Sequence, residues 1–468
     1  MESVHFSQLL DATHGTPQGV SNEDVSFPRL CTDSREINKG DLFWALRGEK
    51  QDGHDYVAEA LKKGAALAIV EKSQSARIVG PCITVDNSLT ALQDLARWYR
   101  LQREALVIGV TGSVGKTTTK EMIHTVLSAR HSGVKTKHNY NNEIGLPLSL
   151  LELSSEDEFG VFEMGAARVG DIRSLCEVAA PEVGVITKIG PAHLLSFGSV
   201  DNIYLGKGEL LDSLPSHGFA VIGGDDDRMR DLARRAACPV IFVGERSDNQ
   251  IRATNVEVRP DKLIFTVDRK RYEVPATGRH YLTAALCSIA VAREVGMDAG
   301  AIAAGLKKFV GEPGRSRAEK CGDWTIIDDT YNANPTSMLA ACCVLQEWPT
   351  ANKRIMVTGD MLELGVEASP LHEELGTCVA HAHVDRLLSL GRHASDVARG
   401  ALAEGMTHHS LAACTEIDPL LTVLDCWLEA GDVILVKGSR GMQMERVIDW
   451  LKKRVAQNHN ARQKRAVA

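Results

Sequence analysis

Short apolar runs alternate with amphipathic spans along most of the chain. The clearest unit begins at residue 106. LVIGV is a β-rich apolar run, TGSVGK is a glycine-rich turn, and Met122, Ile123, Val126 and Leu127 then fall on one helical face. The runs VGVIT (183–187), FAVIG (219–223) and PVIFVG (239–244) continue the pattern as far as GEPGRSR at 311–317, whose glycines, proline and arginines read as a linker. Beyond it TIID (325–328), RIMVTG (354–359), RLLSLG (386–391) and DVILVKG (432–438) predict a second open, largely parallel sheet. Upstream, apolar strands broken by helical segments end near Asp86 to Ser88, which reads as a hinge. The expectation is an α/β protein of three domains. Residues 1–85 form a small N-terminal α/β domain, 86–313 a central P-loop mononucleotide-binding domain, and 314–468 a C-terminal Rossmann-like domain.

Length agrees with this division, since 468 residues exceed what one core usually organises. A single small binding module is excluded. With 44% apolar and 24% charged residues the chain has an ordinary globular composition. The formal charge of −8 argues against a nucleic-acid binder working through bulk positive charge, so any anionic ligand must be held locally. Eleven scattered cysteines, without Cys-x-x-Cys spacing, fit idle thiols in a reducing compartment. The N-terminus carries an acidic residue at position 2, and no apolar run is long enough for stable membrane insertion, so a cytoplasmic location is expected. The basic tail KKRVAQNHNARQKRAVA reads as a solvated helix end.

Chemistry concentrates at Thr111, Gly112, Ser113, Val114, Gly115, Lys116, Thr117 and Thr118, between a buried strand and a helix. Backbone N–H groups and the helix dipole converge on phosphate in that setting. Lys116 is placed to neutralise β/γ oxygens and Thr117 to offer a hydroxyl to Mg²⁺. The longer G-x-x-x-x-G-K-[ST] pattern is not met, because Val110 stands at its first glycine. Glu163, after VF in VFEMGA, and His193, at the end of VGVITKIGPAH, close successive strands and share the ligand-binding edge of such a sheet. These features imply an ATP-dependent enzyme. They leave open whether the triphosphate drives motion, phosphorylates an alcohol or activates a carboxylate.

Longer segments carry a resemblance. Asp33-Ser34-Arg35, Lys39 to Phe43 and Gly48 to His54 in the first domain are similar to the Mur ligases. So are TGSVGKTTTK, NYNNEIGLPLSLL, EMGA, AHLLSFGS and Lys207-Gly208-Glu209 in the middle, and IIDDTYNANPTSM, VTGDMLELG and VKGSRGMQMERVI in the last. The resemblance spans nearly the whole chain, and the Asp328 to Met338 segment points to the dipeptide-adding branch. It implies peptidoglycan synthesis: ATP-driven joining of D-alanyl-D-alanine to UDP-N-acetylmuramoyl-tripeptide through an acyl phosphate, by a monomer. It further implies ATP and Mg²⁺ as cofactors, with Lys116, Glu163, His193, Lys207 and Arg315 as catalytic residues. Thr117, Glu163, His193 and a carbamylated Lys207 would serve metal, and Arg315 and Asp329 the nucleotide. Ser34, Arg35, Asn141, Asn142, Asn332 and Ser337 would hold substrate. A folylpolyglutamate-type ligase and a P-loop nucleotide switch are the competing readings.

From the residues themselves, Asn334-Pro335 also reads as a helix start. The adjacent carboxylates Asp328 and Asp329 close a buried strand and call for a cation, ribose hydroxyl or ammonium. Two departures from the family pattern stand out. Leu195 follows His193-Leu194 where an acidic residue is usual, and His280-Tyr281-Leu282-Thr283-Ala284-Ala285 replaces both asparagines of His-Asn-x-x-Asn-Ala. Tyr281 then either stacks on the adenine or packs in the core.

Overall fold

The computed structural model describes residues 1–20, 23–48, 50–137, 139–349 and 352–467, and of residues 458–467 the backbone alone. Glu49, within the Gly48 to His54 segment, and Ala468 of the tail lie outside the described residues. Three open sheets are laid out in chain order. The first has five strands between Thr16 and Val85, parallel except for Thr16–Gln18, which runs antiparallel at one edge.

The second sheet has seven parallel strands, arranged 251–252, 240–244, 219–223, 183–186, 106–111, 159–163 and 133–135 across its width. Its first strand, Leu106–Thr111, lies between Val183–Ile186 and Phe159–Glu163, so the chain winds outward from it in both directions. That reversal opens a crevice at the carboxyl ends, where the glycine-rich turn stands. The third sheet begins with the antiparallel pair Arg317–Cys321 and Trp324–Asp329. It continues in parallel through Val433–Lys437, Arg354–Gly359, Arg386–Leu390 and Leu411–Cys414.

The segment near Asp86 to Ser88 is not a free hinge. The Asn87 side chain accepts the Thr90 N–H at 2.8 Å and caps the helix Ser88–Leu101. The helix's apolar face, Leu92, Leu95 and Tyr99, joins one core containing Trp44 and Ile69 of the first sheet and Leu146 and Ile172 of the middle unit. The indole of Trp44 donates to the Ser88 carbonyl at 2.8 Å across the same junction.

A three-stranded antiparallel sheet, Thr254–Val258, Leu263–Val267 and Lys270–Val274, is absent from the sequence reading. Its second turn places Asp268 and Arg269 at φ of 49° and 66°, the conformation that Asn-Gly usually advertises. An arginine in that position conceals the hairpin. Among the described residues no helix is long and apolar enough to cross a membrane, and all eleven cysteines are free.

Candidate active site

The turn after Leu106–Thr111 is fixed before any ligand is considered. Gly112 sits at φ +149°, and a Cβ there would meet the Thr187 hydroxyl at 2.1 Å. Thr187 donates that hydroxyl to the Val114 carbonyl at 2.6 Å, and the Ser113 N–H donates to Lys188 O at 2.7 Å. Gly115, at φ +82°, begins the helix Lys116–Leu127 with no side-chain cap. The first N–H groups of this helix therefore point outward unpaired by its own geometry, an anion cradle.

Two of the predicted phosphate-binding residues lie beneath this cradle rather than on it. Thr111 is fully buried and donates its hydroxyl to Met164 O at 2.8 Å. Gly112 supplies the close approach, and neither residue lines the cavity, whose wall begins at Ser113. Ser113, Val114, Gly115, Lys116, Thr117 and Thr118 do line it. Lys116 donates to Gly112 O at 2.9 Å. Burial, reinforced by the nearby Arg315 charge and opposed by Glu163, holds its ammonium below the usual lysine range.

Glu163 closes its strand as expected. Its carboxylate accepts the Thr117 hydroxyl at 2.8 Å on one oxygen and the Asn141 amide at 2.8 Å on the other. Asn142 uses its side-chain oxygen to accept the Gly145 N–H at 2.9 Å, ordering the loop that carries both asparagines. His193, at φ 53°, pairs through Nδ1 with Glu363 of the third unit. The Leu195 N–H donates to the Glu363 carbonyl at 3.0 Å, so the loop around Leu195 docks on the third unit.

Lys207 is not a surface lysine paired with glutamate. It is buried in the helix Val200–Asp212, and its pKa lies well below the ordinary value because of burial and then the charge of Lys116. The neighbouring Glu209 spends its carboxylate on the N–H groups of Gly170 and Arg173.

Across the cavity, Arg315 is not solvated. Its guanidinium donates to the Thr117 hydroxyl at 3.2 Å and lies over the Tyr331 ring, 3.8 Å from its centroid. The Gly/Pro/Arg linker is bolted to the third sheet, because Gly314 N–H donates to Asp328 at 3.2 Å and Ser316 N–H to Asp329 at 3.0 Å.

The two aspartates need no external ligand. Asp329 pairs with Lys437 at 2.7 Å from the adjacent strand, and Asp328 accepts the Thr330 hydroxyl at 2.7 Å. Lys437, whose charge role the sequence did not disclose, also donates to Asn332 O at 2.8 Å. Ser337 lines the cavity, but its hydroxyl and N–H complete a capping box with Asn334. Asn334 also reaches Ser113 O at 3.4 Å, so middle and third units meet.

Ser34 and Arg35 stay in the first unit, away from this cavity. Ser34 is buried with its hydroxyl donating to Glu59 at 3.4 Å, and exposed Arg35 forks onto Asp33. That pairing holds the Asp33 carboxyl down at about 2. Tyr281 does not line the cavity either; it is buried, edge-on to Phe309 at 5.9 Å between centroids, so base stacking is replaced by core packing. His280 and Ala284 do face the cavity.

The resulting cavity measures about 1090 Å³, more than one drug-sized ligand needs. It joins the cradle, Glu163, His193, Arg315, Asp329, Asn332 and Lys437. Among the described residues no three His, Cys, Asp or Glu side chains form a cage for a metal. Thr117 beside Glu163 nevertheless suits Mg²⁺, which takes one or two protein oxygens and completes its shell with phosphates and water.

Comparison with known proteins finds three successive matched stretches, the first of which runs past residue 85. Residues 28–106 match the Mur ligase family catalytic domain, 110–292 the Mur ligase middle domain, and 315–440 the Mur ligase glutamate ligase domain. A UDP-N-acetylmuramoyl-tripeptide–D-alanyl-D-alanine ligase of Escherichia coli (strain K12) is 34% identical over 457 residues, covering 96% of this chain and 98% of that one. The chain belongs to the Mur ligase family. Another Mur ligase of the same name, from Bacillus subtilis (strain 168), is 33% identical and covers 95% of this chain and 96% of its own. The crystal structure of MurF from Acinetobacter baumannii superposes with a TM-score of 0.90 at 32% identity, over 97% of this chain and 99% of that one. A MurF ligase from Thermotoga maritima in complex with ADP gives 0.81 at 30% identity, over 92% and 98%.

The Lys437–Asp329 pair is a buried ion pair of this Mur ligase cavity. Lys437→Met should cost about 3 kcal/mol of stability by stranding a buried carboxylate. Urea unfolding monitored on the third unit checks this, and Lys437→Met with Asp329→Asn should recover part of the loss.

Proposed function

We propose that this chain joins D-alanyl-D-alanine to UDP-N-acetylmuramoyl-tripeptide with ATP, making the peptidoglycan pentapeptide precursor. The observation that carries this is the meeting of two sheet edges in one cavity. The phosphate cradle of the middle unit faces Arg315 and the Asp329-Asn332 edge of the third. A nucleotide switch has no need of the second edge. The residue division of the sequence reading is kept: 1–85 for the uridine nucleotide, with Ser34 and Arg35 at its site, 86–313 for ATP, and 314–468 for closure over the dipeptide.

The chemistry is set by charge. A peptide carboxylate attacking a γ-phosphate is repelled by it, and the site answers with Lys116, Arg315 and the helix N-terminus. The carboxylate oxygen forms a bond to phosphorus, the bond to the β-γ bridging oxygen breaks, and ADP leaves. The dipeptide amine then attacks the acyl-phosphate carbonyl. Phosphate departs with the C–O bond pair, and the amine's surplus proton is lost to solvent.

Thr117 and Glu163 would hold Mg²⁺, with His193 contributing through Nε2, since Nδ1 is engaged by Glu363 in the way carboxylates orient metal-bound imidazoles. When bound, the metal screens phosphate charge. The neutral cavity face at Asn332 and Ala333, beside the helix starting at Pro335, would receive the dipeptide.

Lys207 fits this scheme only after modification, because a buried ammonium beside Lys116 opposes a second cation. Its lowered pKa supplies the remedy. A neutral amine adds to CO₂, forming an N–C bond and releasing one proton, and the product is an anionic carbamate. Protein equilibrated with ¹³C-bicarbonate should show a carbamate carbon resonance that Lys207→Met lacks, and its absence from the unsubstituted protein would remove Lys207 from the ligand set.

Incubation with ATP, Mg²⁺, UDP-N-acetylmuramoyl-tripeptide and D-alanyl-D-alanine should yield ADP, phosphate and amide in equal amounts. Phosphate release indifferent to the dipeptide would favour the switch instead. Lys116→Ala should lower kcat by about a thousandfold, while uridine-nucleotide binding, measured by calorimetry, stays unchanged.

A further inference from the structure

Tyr281 occupies a position where the family pattern has asparagine, and its hydroxyl has one partner in the structure. It donates to the backbone carbonyl of Arg315 at 2.5 Å. The ring is held on two sides, by Phe309 and by His280, whose centroid lies 4.4 Å away. Burial pushes the phenol upward, so it remains a donor throughout the physiological range.

The helix that Tyr281 begins, Tyr281–Glu294, packs in the same core as Met122, Ile123 and Val126 of the helix leading out of the phosphate cradle. One rigid block thus carries both the cradle and the phenol. Of the other backbone bonds of the Arg315 loop, the Arg315 N–H donates to Glu312 O at 3.2 Å within it, and the N–H groups of Gly314 and Ser316 go to the third unit. The phenol is therefore the tie between the arginine's own backbone and the phosphate-binding block.

We infer that Tyr281 is a positioning residue, which fixes the Arg315 backbone so that its guanidinium is aimed at the terminal phosphate of ATP. An arginine whose backbone is loose loses rotational freedom each time it engages phosphate, whereas one already tied does not. The inference rests on the assignment of the cavity to ATP, and it is tested by binding rather than turnover so that the two can fail separately.

Affinities for ADP and for a β,γ-imido analogue of ATP are measured by calorimetry with Mg²⁺ present, on the full chain without peptide substrates. The native protein should prefer the triphosphate. Tyr281→Phe keeps the ring and removes the hydroxyl, and it should reduce that preference roughly five- to tenfold while leaving ADP affinity unchanged. Tyr281→Met, a second variant lacking the hydroxyl, should behave alike.

Arg315→Ala should abolish the preference, and adding Tyr281→Phe to it should change nothing further. Amide hydrogen exchange in residues 311–316 should accelerate in the Tyr281 variants and not in Arg315→Ala alone. A merely structural tyrosine would lower both affinities together, and that result, an unaltered preference, or independent effects in the double variant would overturn the inference. Failure of the native protein to bind either nucleotide would instead overturn the ATP assignment.

Discussion

The arrangement turns on an unbalanced charge. Lys116, Lys207 and Arg315 approach one another around the carboxylates of Glu163 and Asp171, with Lys207 and Glu163 buried and Lys116 and Arg315 half-buried. Burial first, and neighbouring positive charge after it, lowers the pKa of both lysines. The fold must hold them together, and the surrounding packing does so. Gly112 and Thr187 pin the turn, Asn141 and Thr117 fix the carboxylate, and core helices stand behind. A triphosphate relieves the imbalance, so the strain that packing sustains becomes affinity for a polyanion. A helix N-terminus adds its partial positive charge in the same place.

The second sheet was legible because its signals are local. A glycine turn between strand and helix lies within fifteen residues, and a strand end locates Glu163 without knowledge of its partners, whereas His193, read as closing a strand, stands beyond the end of Val183–Ile186 and immediately before the helix Leu194–Phe197. The order of the strands explains why those ends are neighbours, since Phe159–Glu163 and Val183–Ile186 flank Leu106–Thr111. The same reasoning failed where the partner is remote. Asp329 was read as calling for a cation, ribose hydroxyl or ammonium, and an ammonium is there, but its source, Lys437 on a strand more than a hundred residues later, was not legible. His193 meets Glu363 and Arg315 meets Thr117 across similar gaps, and no short-range pattern encodes those pairings.

Tyr281 and the hinge near residue 86 illustrate a different limit. An aromatic residue in a nucleotide-binding segment suits stacking and burial equally, and only packing against Phe309 decides between them. At Asp86 to Ser88 a polar stretch looked like a break, but Asn87 is polar because it caps a helix. The residue types were read correctly and the demand on them was not. The Asp268-Arg269 turn adds a third case, in which positive φ is tolerated without the glycine that would have revealed it.

Residues 314 and 316 are tied by backbone N–H groups to Asp328 and Asp329 of the third sheet, while the Arg315 carbonyl between them accepts from Tyr281 of the middle unit, so Arg315 stands at the joint of the two. The edge proposed to receive the amine belongs to that same sheet, at Asn332 and the helix Pro335–Glu347. In the proposed reaction, charge stabilisation at the γ-phosphate and the binding surface for the nucleophile would thus be joined through one sheet edge. An acyl phosphate made in an open site would meet water before it met an amine. Tying the arginine to the edge proposed for the dipeptide would make phosphoryl transfer wait for the geometry in which its product can be used, and closure of the units would then protect the intermediate from water.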